Sequence, residues 1–371
     1  MSLAEITTTP EATGCDSKHF QHVNALIERG VKEKVFPCAT YMVLRHGMVI
    51  AQGSFGTVQP DAKTPTTCKA ETLFDLASIT KTFTATLLLQ HIEEGRLTLN
   101  HELADLLPEA KDTPLAALTL KQCATHISGL PAWKPLYKST RPALTEILAT
   151  PLEKRPGSHY AYSDLGYILI GKVLERVSGK TLDVLVQERI CKPLGMKQSG
   201  FRPTPSQNSH CAATANCPLR EGKTLIGEVH DANAHSMGGV AGHAGMFAPA
   251  PELARYAIAL EYPEVARHLQ MKPLLGELTR KLIETNQVDP SVGSHSIGWF
   301  TPPNPFLPRG DVLSERTFGH TGFTGTLLMF DPENDLTLIL LTNRVYFPRD
   351  AGESLRMRRL FANAVGGTIR P

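Results

Sequence analysis

From Phe20 the apolar residues Phe20, Val23, Leu26, Ile27 and Val31 recur at spacings of three and four, and Gly30 and Pro37 close the segment, which predicts an amphipathic helix. Two strand-like runs follow, ATYMVLR and MVIAQGSFG, joined by His46 and Gly47 in the manner of a β-hairpin. Near the other end, TGTLLMFD, the turn PEND and LTLILLTN repeat strand, tight turn and strand, and the stretch from Asp350 to Val365 has helical character. Both ends therefore predict sheet with covering helices. The middle differs: TKTFTATLLLQHIEEGRL, LTEILAT, DLGYILIGKVLERVSG, LDVLVQERI and PELARYAIAL carry helical periodicity punctuated by Gly and Pro. FRPTPSQNSH and TPPNPFLPRG have the composition of surface loops. These patterns divide the chain into a disordered tail (1–16), a sheet domain from 17–77 plus 290–371, and a mainly helical domain over 78–289. No internal repeat or low-complexity tract is present.

The bulk numbers narrow the class. With 371 residues, 42% of them hydrophobic and 20% charged, the chain can bury a large core. A net charge of +2, with both signs scattered, creates no field that selects nucleic acid or an anionic membrane. No apolar run reaches the 18 or so residues that cross a bilayer. The opening MSLAEITTTPEATG lacks the basic and apolar regions of a signal peptide, so the expected location is cytoplasmic, or periplasmic or secreted where a leader has been removed. Seven cysteines without a CxxC pair predict buried, reduced thiols.

Three segments can carry chemistry. In Ser78-Ile79-Thr80-Lys81, serine and lysine three apart at a helix start share a face, and the helix terminus presents free N–H groups that favour a developing oxyanion. No other serine has lysine at that spacing. The competing reading is a capping serine beside a solvated lysine. The second segment, Pro156-Gly157 followed by Tyr160-Ala161-Tyr162-Ser163-Asp164-Leu165-Gly166-Tyr167, is a turn into a helix, where Ser163 or Asp164 serves equally as a cap and Tyr162 as core. The third, Phe318-Gly319-His320-Thr321-Gly322-Phe323-Thr324-Gly325, precedes a strand; its glycines suit close approach to a ligand or a bulge. His230, Asp231, His235 and His243 match no zinc signature, so no metal site is expected. No GxSxG elbow, Walker loop or GxGxxG occurs, against an α/β-hydrolase, a nucleotide phosphohydrolase and a dinucleotide enzyme.

In this order, SxxK, then YxD about 80 residues on, then HTG on a late strand, the three segments resemble the serine β-lactamase and penicillin-binding family, in its class C-like, esterase and D-peptidase branch. LKQCATHISGLP, PGSHYAYSDLGY, GGVAGHAGMFAPAPELARY, SIGWF and GHTGFTGTLLMFDPENDLTLILLTNR extend the resemblance over most of the chain from Phe20. It implies an α/β (α+β) fold, an antiparallel sheet flanked by helices with an inserted all-helical domain, and a groove where the two meet. It further implies Ser78 as nucleophile, Lys81 as its amine partner, Tyr162 as general base, and the backbone N–H groups of Ser78 and Phe323 as oxyanion hole. His320, Thr321 and Gly322 would form the substrate-holding strand, and no cofactor is required. His243 is a possible groove liner, Trp133 a stacking surface, and Asn343 with Arg344 a contact for a substrate carboxylate.

Two departures bear on substrate. Asp164 stands where many relatives have Asn, and a carboxylate cannot donate to an amide carbonyl, which favours esters or D-amino-acid derivatives over β-lactams. His320 replaces a lysine, so attraction to a substrate carboxylate should grow as pH falls toward about 6. The leading expectation is a serine hydrolase of small acyl compounds. Its rivals are a D-stereospecific peptidase and, from another class, a non-catalytic penicillin-binding sensor; the joint presence of Ser78, Lys81 and Tyr162 disfavours the last.

Overall fold

A computed structural model describes residues 3–220, 222–347 and 350–370. The amphipathic segment forms helix α1 (Phe20–Lys32), with Phe20, Val23, Leu26, Ile27 and Gly30 on its buried face. Strands β1 (Cys38–Arg45) and β2 (Met48–Gly56) pair antiparallel. His46 and Gly47 make the tight turn between them in the left-handed region, at φ of 52° and 72°, as the twist of a two-residue hairpin demands. Two short strands, β3 (Phe74–Asp75) and β4 (Gly200–Phe201), flank β5 (Met246–Ala248) in a small sheet. The late strands are β6 (Phe318–Thr321), β7 (Leu327–Asp331) and β8 (Leu336–Thr342). They join the first hairpin in one antiparallel sheet of order β2-β1-β8-β7-β6, so both chain ends build it.

Strand β8, LTLILLT, is buried at every position because both faces of the sheet are covered. Leu338 and Leu340 meet the cluster of Val23, Ile27 and Phe361, whereas Ile339 and Leu341 face the cluster containing Phe83, Leu87 and Ile258. Phe361 belongs to the closing helix, Ala351–Gly366, whose N-cap Asp350 accepts the Gly352 N–H.

Residues 3–16 depart from the expected disordered tail, of which residues 1–2 lie outside the described residues. Ile6 and Cys15 are buried, and Thr8 N–H donates to Val49 O at 3.0 Å. The physical reason lies in the sheet: β2 is an edge strand, and this segment takes up its unpaired backbone at Val49. At the other edge, Phe300 and Gly319 exchange backbone hydrogen bonds of 2.9 and 3.1 Å.

Helix α2 (Thr80–Glu93) runs through the interior, and every residue from Thr80 to Leu89 is buried. Its threonines find backbone acceptors, one local and one distant in the chain: Thr82 Oγ1 donates to Ile79 O at 2.8 Å and Thr84 Oγ1 to Gly242 O at 2.8 Å. Helix α3 (Asp164–Ser178) packs beside it. A side chain at Gly242 would place Cβ 2.0 Å from Tyr167 O, so this glycine permits the 240s loop to reach the α3 backbone. All seven cysteines are buried and unpaired, and no helix among the described residues is long and apolar enough to cross a membrane.

Candidate active site

Between Thr72 and Leu89 only Ser78 is not buried. It sits on the single turn Ala77–Ile79 that feeds α2, after Ala77, whose φ of 46° is a left-handed conformation an alanine seldom adopts. Asp75 holds that turn: one carboxylate oxygen accepts Ala77 N–H at 2.8 Å and the other His230 N–H at 2.7 Å. Burial pushes the Asp75 carboxyl up to about 6, against the pull of these backbone donors.

One turn on, the fully buried Lys81 Nζ lies 3.0 Å from Ser78 Oγ, 2.7 Å from Asp164 Oδ1 and 3.2 Å from His243 O. Two of its N–H groups donate to Ser78 Oγ and His243 O, and the Asp164 carboxylate pairs with its charge. Burial alone would lower the Lys81 pKa, but the Asp164 and Tyr162 oxygens outweigh it and raise it. Lys81 is thus held as an ammonium. The Asp164 end is fixed because Tyr160–Asp164 runs extended along the 126–132 loop: Ala161 N–H donates to His126 O at 2.9 Å, Ser163 N–H to His126 Nδ1 at 3.0 Å, and Asp164 N–H to Ala132 O at 3.0 Å.

Tyr162 completes the cluster, with Lys81 Nζ 4.8 Å from its ring centroid. Burial raises its pKa; the Lys81 charge and the hydroxyl of Ser78 pull back only partly, so the resting group is a phenol. Beneath it lie the buried rings of His126 and His320, with centroids 4.5 and 6.0 Å away, and His295 packs on His126 at 4.6 Å.

The glycine-rich 320s loop closes the opposite side. Thr324 Oγ1 donates to Asp75 O at 2.7 Å and Thr326 Oγ1 to Leu76 O at 3.0 Å, stitching it to the segment that carries Ser78. Among the described residues, neither Ser78 N–H nor Phe323 N–H has an acceptor. This arrangement offers a polarised serine, an ammonium, a phenol and two free backbone donors, the parts needed to acylate a serine.

The chain matches the Beta-lactamase family over residues 23–362. It belongs to that family. This β-lactamase-family serine hydrolase is 29% identical over 380 residues to a putative D-alanyl-D-alanine carboxypeptidase of Salmonella agona strain SL483, a match covering 92% of this chain and 86% of the other. Among solved structures, a β-lactamase/D-alanine carboxypeptidase from Pseudomonas syringae superposes with a TM-score of 0.76 at 20% identity, covering 96% of this chain and 100% of that one. EstCE1, a hydrolase with promiscuous acyltransferase activity, gives 0.72 at 20% identity, covering 93% and 98%. These two likenesses establish the shared fold.

Not every expected binding residue of this family member faces the groove. His320 is fully buried, its ring stacked on Phe300 at 4.5 Å and its Nδ1 2.9 Å from Thr321 O. Burial, then Lys81 and His295, hold its pKa well below the usual value, so it is a neutral packing partner of Tyr162 and not a pH-dependent carboxylate contact. Asn343 is also withdrawn: Nδ2 donates to Ala213 O at 2.7 Å and Oδ1 accepts Cys38 N–H at 3.2 Å, which ties β8 and β1 to the 213 loop. His243 contributes its carbonyl to Lys81, while its buried ring meets Asp231 Oδ1 at 2.9 Å. Asp164, Asp231 and His243 bring donor atoms within 4.8 Å of one another, but Lys81 and the His243–Asp231 contact already engage that set. Thr321 is half-buried, Gly322 buried, and Trp133 exposed beside Ala132, which binds the Asp164 backbone. Arg344 is buried and stacks on the exposed Phe323, its guanidinium carbon 4.5 Å from the ring centroid. A surface cleft of about 720 Å³ lined by Gln90, Glu94, Arg189 and Arg267 shares no residue with this cluster.

Motif spacing missed Asp75, Thr324 and Thr326. Asp75 precedes the SxxK serine by three residues, and the two threonines surround Gly325, but only the fold brings their partners together.

Proposed function

We propose that Ser78 is the nucleophile of an acyl-transfer reaction in which Lys81 and Tyr162 manage protons and the N–H groups of Ser78 and Phe323 form the oxyanion hole. In this reading residues 17–77 and 290–371 make the sheet domain, 78–289 the helical one, and Ser78 lies on their seam. The observation that carries the proposal is the Lys81 ammonium, 3.0 Å from Ser78 Oγ and charge-paired with Asp164 at 2.7 Å. It cannot take the serine proton, so its charge stabilises the developing alkoxide while Tyr162 moves the proton.

Ser78 Oγ bonds to the acyl carbon while its proton passes to the Tyr162 oxygen and the phenol's own proton passes, in the same step, to the leaving oxygen or nitrogen, whose bond to the acyl carbon then breaks; Tyr162 stays a neutral phenol throughout. The tetrahedral oxyanion rests on the two N–H groups, each contributing a factor of about 10² to 10³. Water attacks the acyl-enzyme by the same route in reverse, and no cofactor enters.

The substrate class follows from Asp164. Its Oδ1 is engaged by Lys81 at 2.7 Å, and a carboxylate offers no donor to an amide carbonyl. Small esters are therefore favoured over β-lactams. A second reading, a D-stereospecific peptidase, is supported by the 29% identity to the putative D-alanyl-D-alanine carboxypeptidase.

Intact-mass spectrometry and turnover of wild type and Ser78→Ala with a p-nitrophenyl ester, a chromogenic cephalosporin and a D-alanyl anilide test both readings. A Ser78-dependent acyl adduct with ester turnover is expected. Preference for the anilide would select the peptidase, and no adduct with any substrate would overturn the mechanism.

A further inference from the structure

Arg358, on the closing helix, is buried to 7% exposure and has no carboxylate partner among the described residues. Keeping a guanidinium there is costly: burial, then neighbouring Arg344, pull its pKa down to about 9, and an apolar side chain would pack more cheaply. Its hydrogen bonds go to the 320s loop. Nη2 donates to Gly322 O at 2.8 Å and Nε to Gly325 O at 3.3 Å.

The Gly322 carbonyl belongs to the same peptide unit as the Phe323 N–H. In a trans peptide the C=O and N–H point in opposite directions, so a cation bound to that oxygen stands behind the unit and the N–H emerges on the far side. A charge there both fixes the plane and draws electron density away from the N–H, strengthening it as a donor. Gly325 N–H also donates to Gly322 O at 3.0 Å, so that oxygen has further support, and the preceding peptide is held by Gly322 N–H donating to Thr326 O at 2.8 Å. Arg358 alone among these partners carries charge.

We infer that Arg358 is a positioning residue for catalysis, a buried cation that orients and polarises the Gly322–Phe323 peptide so that the Phe323 N–H stabilises the oxyanion on the acylated Ser78. The inference rests on the Ser78 mechanism proposed above.

The test compares Arg358→Lys, Arg358→Gln and Arg358→Met with wild type and Ser78→Ala. It reads kcat and KM for a p-nitrophenyl ester and the Kd of an arylboronic acid, whose tetrahedral serine adduct mimics the oxyanion; circular dichroism melting checks the fold. Arg358→Met is expected to lower kcat about 10- to 100-fold with KM within twofold, and to weaken boronate binding by a similar factor. Lys, which keeps the charge, should recover most of the loss, and Gln, which keeps a donor without charge, should recover little. Should the Met variant fail to fold, the comparison of Lys with Gln decides. Equal kcat and boronate affinity in folded Gln and wild-type proteins would overturn the role of Arg358 while leaving Ser78 in place. If wild-type protein gave no Ser78-dependent turnover or boronate adduct, both readings would fall.

Discussion

Asp164→Asn removes a charge 2.7 Å from a fully buried ammonium while leaving the side chain's shape nearly unchanged. At that distance and an effective dielectric of about 20, opposite unit charges attract by roughly 6 kcal/mol. Asp164 is 18% exposed at its side chain, and stripping one partner from a buried pair typically costs about 3–5 kcal/mol. An unfolding entropy of about 2.1 cal/mol/K per residue over 371 residues converts this to a melting-temperature drop of roughly 4–6 °C. The sign with pH is distinctive. In wild type the raised Lys81 pKa gives stability that is present below the unfolded lysine value of about 10.4 and lost as pH climbs through the folded one. In the Asn variant burial dominates and the folded pKa is depressed, so stability instead grows as pH rises toward about 10.4. The deficit should therefore be largest near pH 6 and shrink toward pH 10. Neutral Lys81 can also accept the Ser78 proton, so kcat/KM of the Asn variant should gain an acidic limb at the depressed Lys81 pKa, which wild type, with Lys81 charged throughout, does not show. Melting curves and kcat/KM profiles from pH 6 to 10 check both. A deficit that does not vary with pH, together with a kcat/KM profile of the same shape as wild type, would falsify the assignment of Asp164 as the group that keeps Lys81 charged.

Three further outcomes are expected. Gly322→Ala places Cβ 2.1 Å from Thr326 Oγ1 and 2.4 Å from Leu76 O, so the loop must shift; with the Phe323 N–H displaced, kcat/KM should fall about 100-fold or more, measured by ester turnover. Burial, then Glu284, push the Glu261 carboxyl from 4.5 up to about 8, so its contribution to stability is present below about 4.5 and lost by about 8. Glu261→Gln does not titrate and should gain on wild type by about 3–5 kcal/mol over that window, read from denaturant midpoints at pH 5 and 9. Because His320 is buried and neutral, selectivity for carboxylate-bearing over neutral esters should stay flat between pH 6 and 8; a rise on acidification would restore His320 as the carboxylate contact.

The hairpin of β1 and β2, helix α1 and the pairing of β7 with β8 were legible because their signals are local: period, turn residue and strand length all lie within a few positions. The order of three motifs pointed to Ser78, Lys81 and Tyr162, and the fold brings Lys81 Nζ within 3.0 Å of Ser78 Oγ and 4.8 Å of the Tyr162 ring centroid. Local pattern does not specify which face of a strand is buried. His320 and Thr321 are adjacent, so alternation buries one and leaves the other half-buried, and sequence alone does not say which. Asn343 follows β8 and looked available to substrate; its amide is consumed in joining β1 to a loop 130 residues away. The tail misread has a similar origin, since an edge strand's need for cover is a property of the assembled sheet.

The buried histidines are a consequence of the same electrostatics. His126 and His320 pack against Tyr162 and His295 packs on His126, and burial, with Lys81 adding to it in each, keeps all three neutral; His295 is pulled to about 3. Were one of them charged, it would compete with Lys81 for Asp164 and stabilise a phenolate, emptying the resting site of the proton Tyr162 must pass to the leaving group. Imidazoles that stay neutral pack like aromatic rings, so the phenol meets one cation only, and that cation also touches Ser78. At the other end the Phe323 peptide has Arg358 behind it and Arg344 on the Phe323 ring, so positive potential gathers where the oxyanion forms. The phenol therefore meets one cation, Lys81, whereas Arg358 and Arg344 stand behind and beside the Phe323 peptide, placing positive charge near the N–H that would hold the oxyanion.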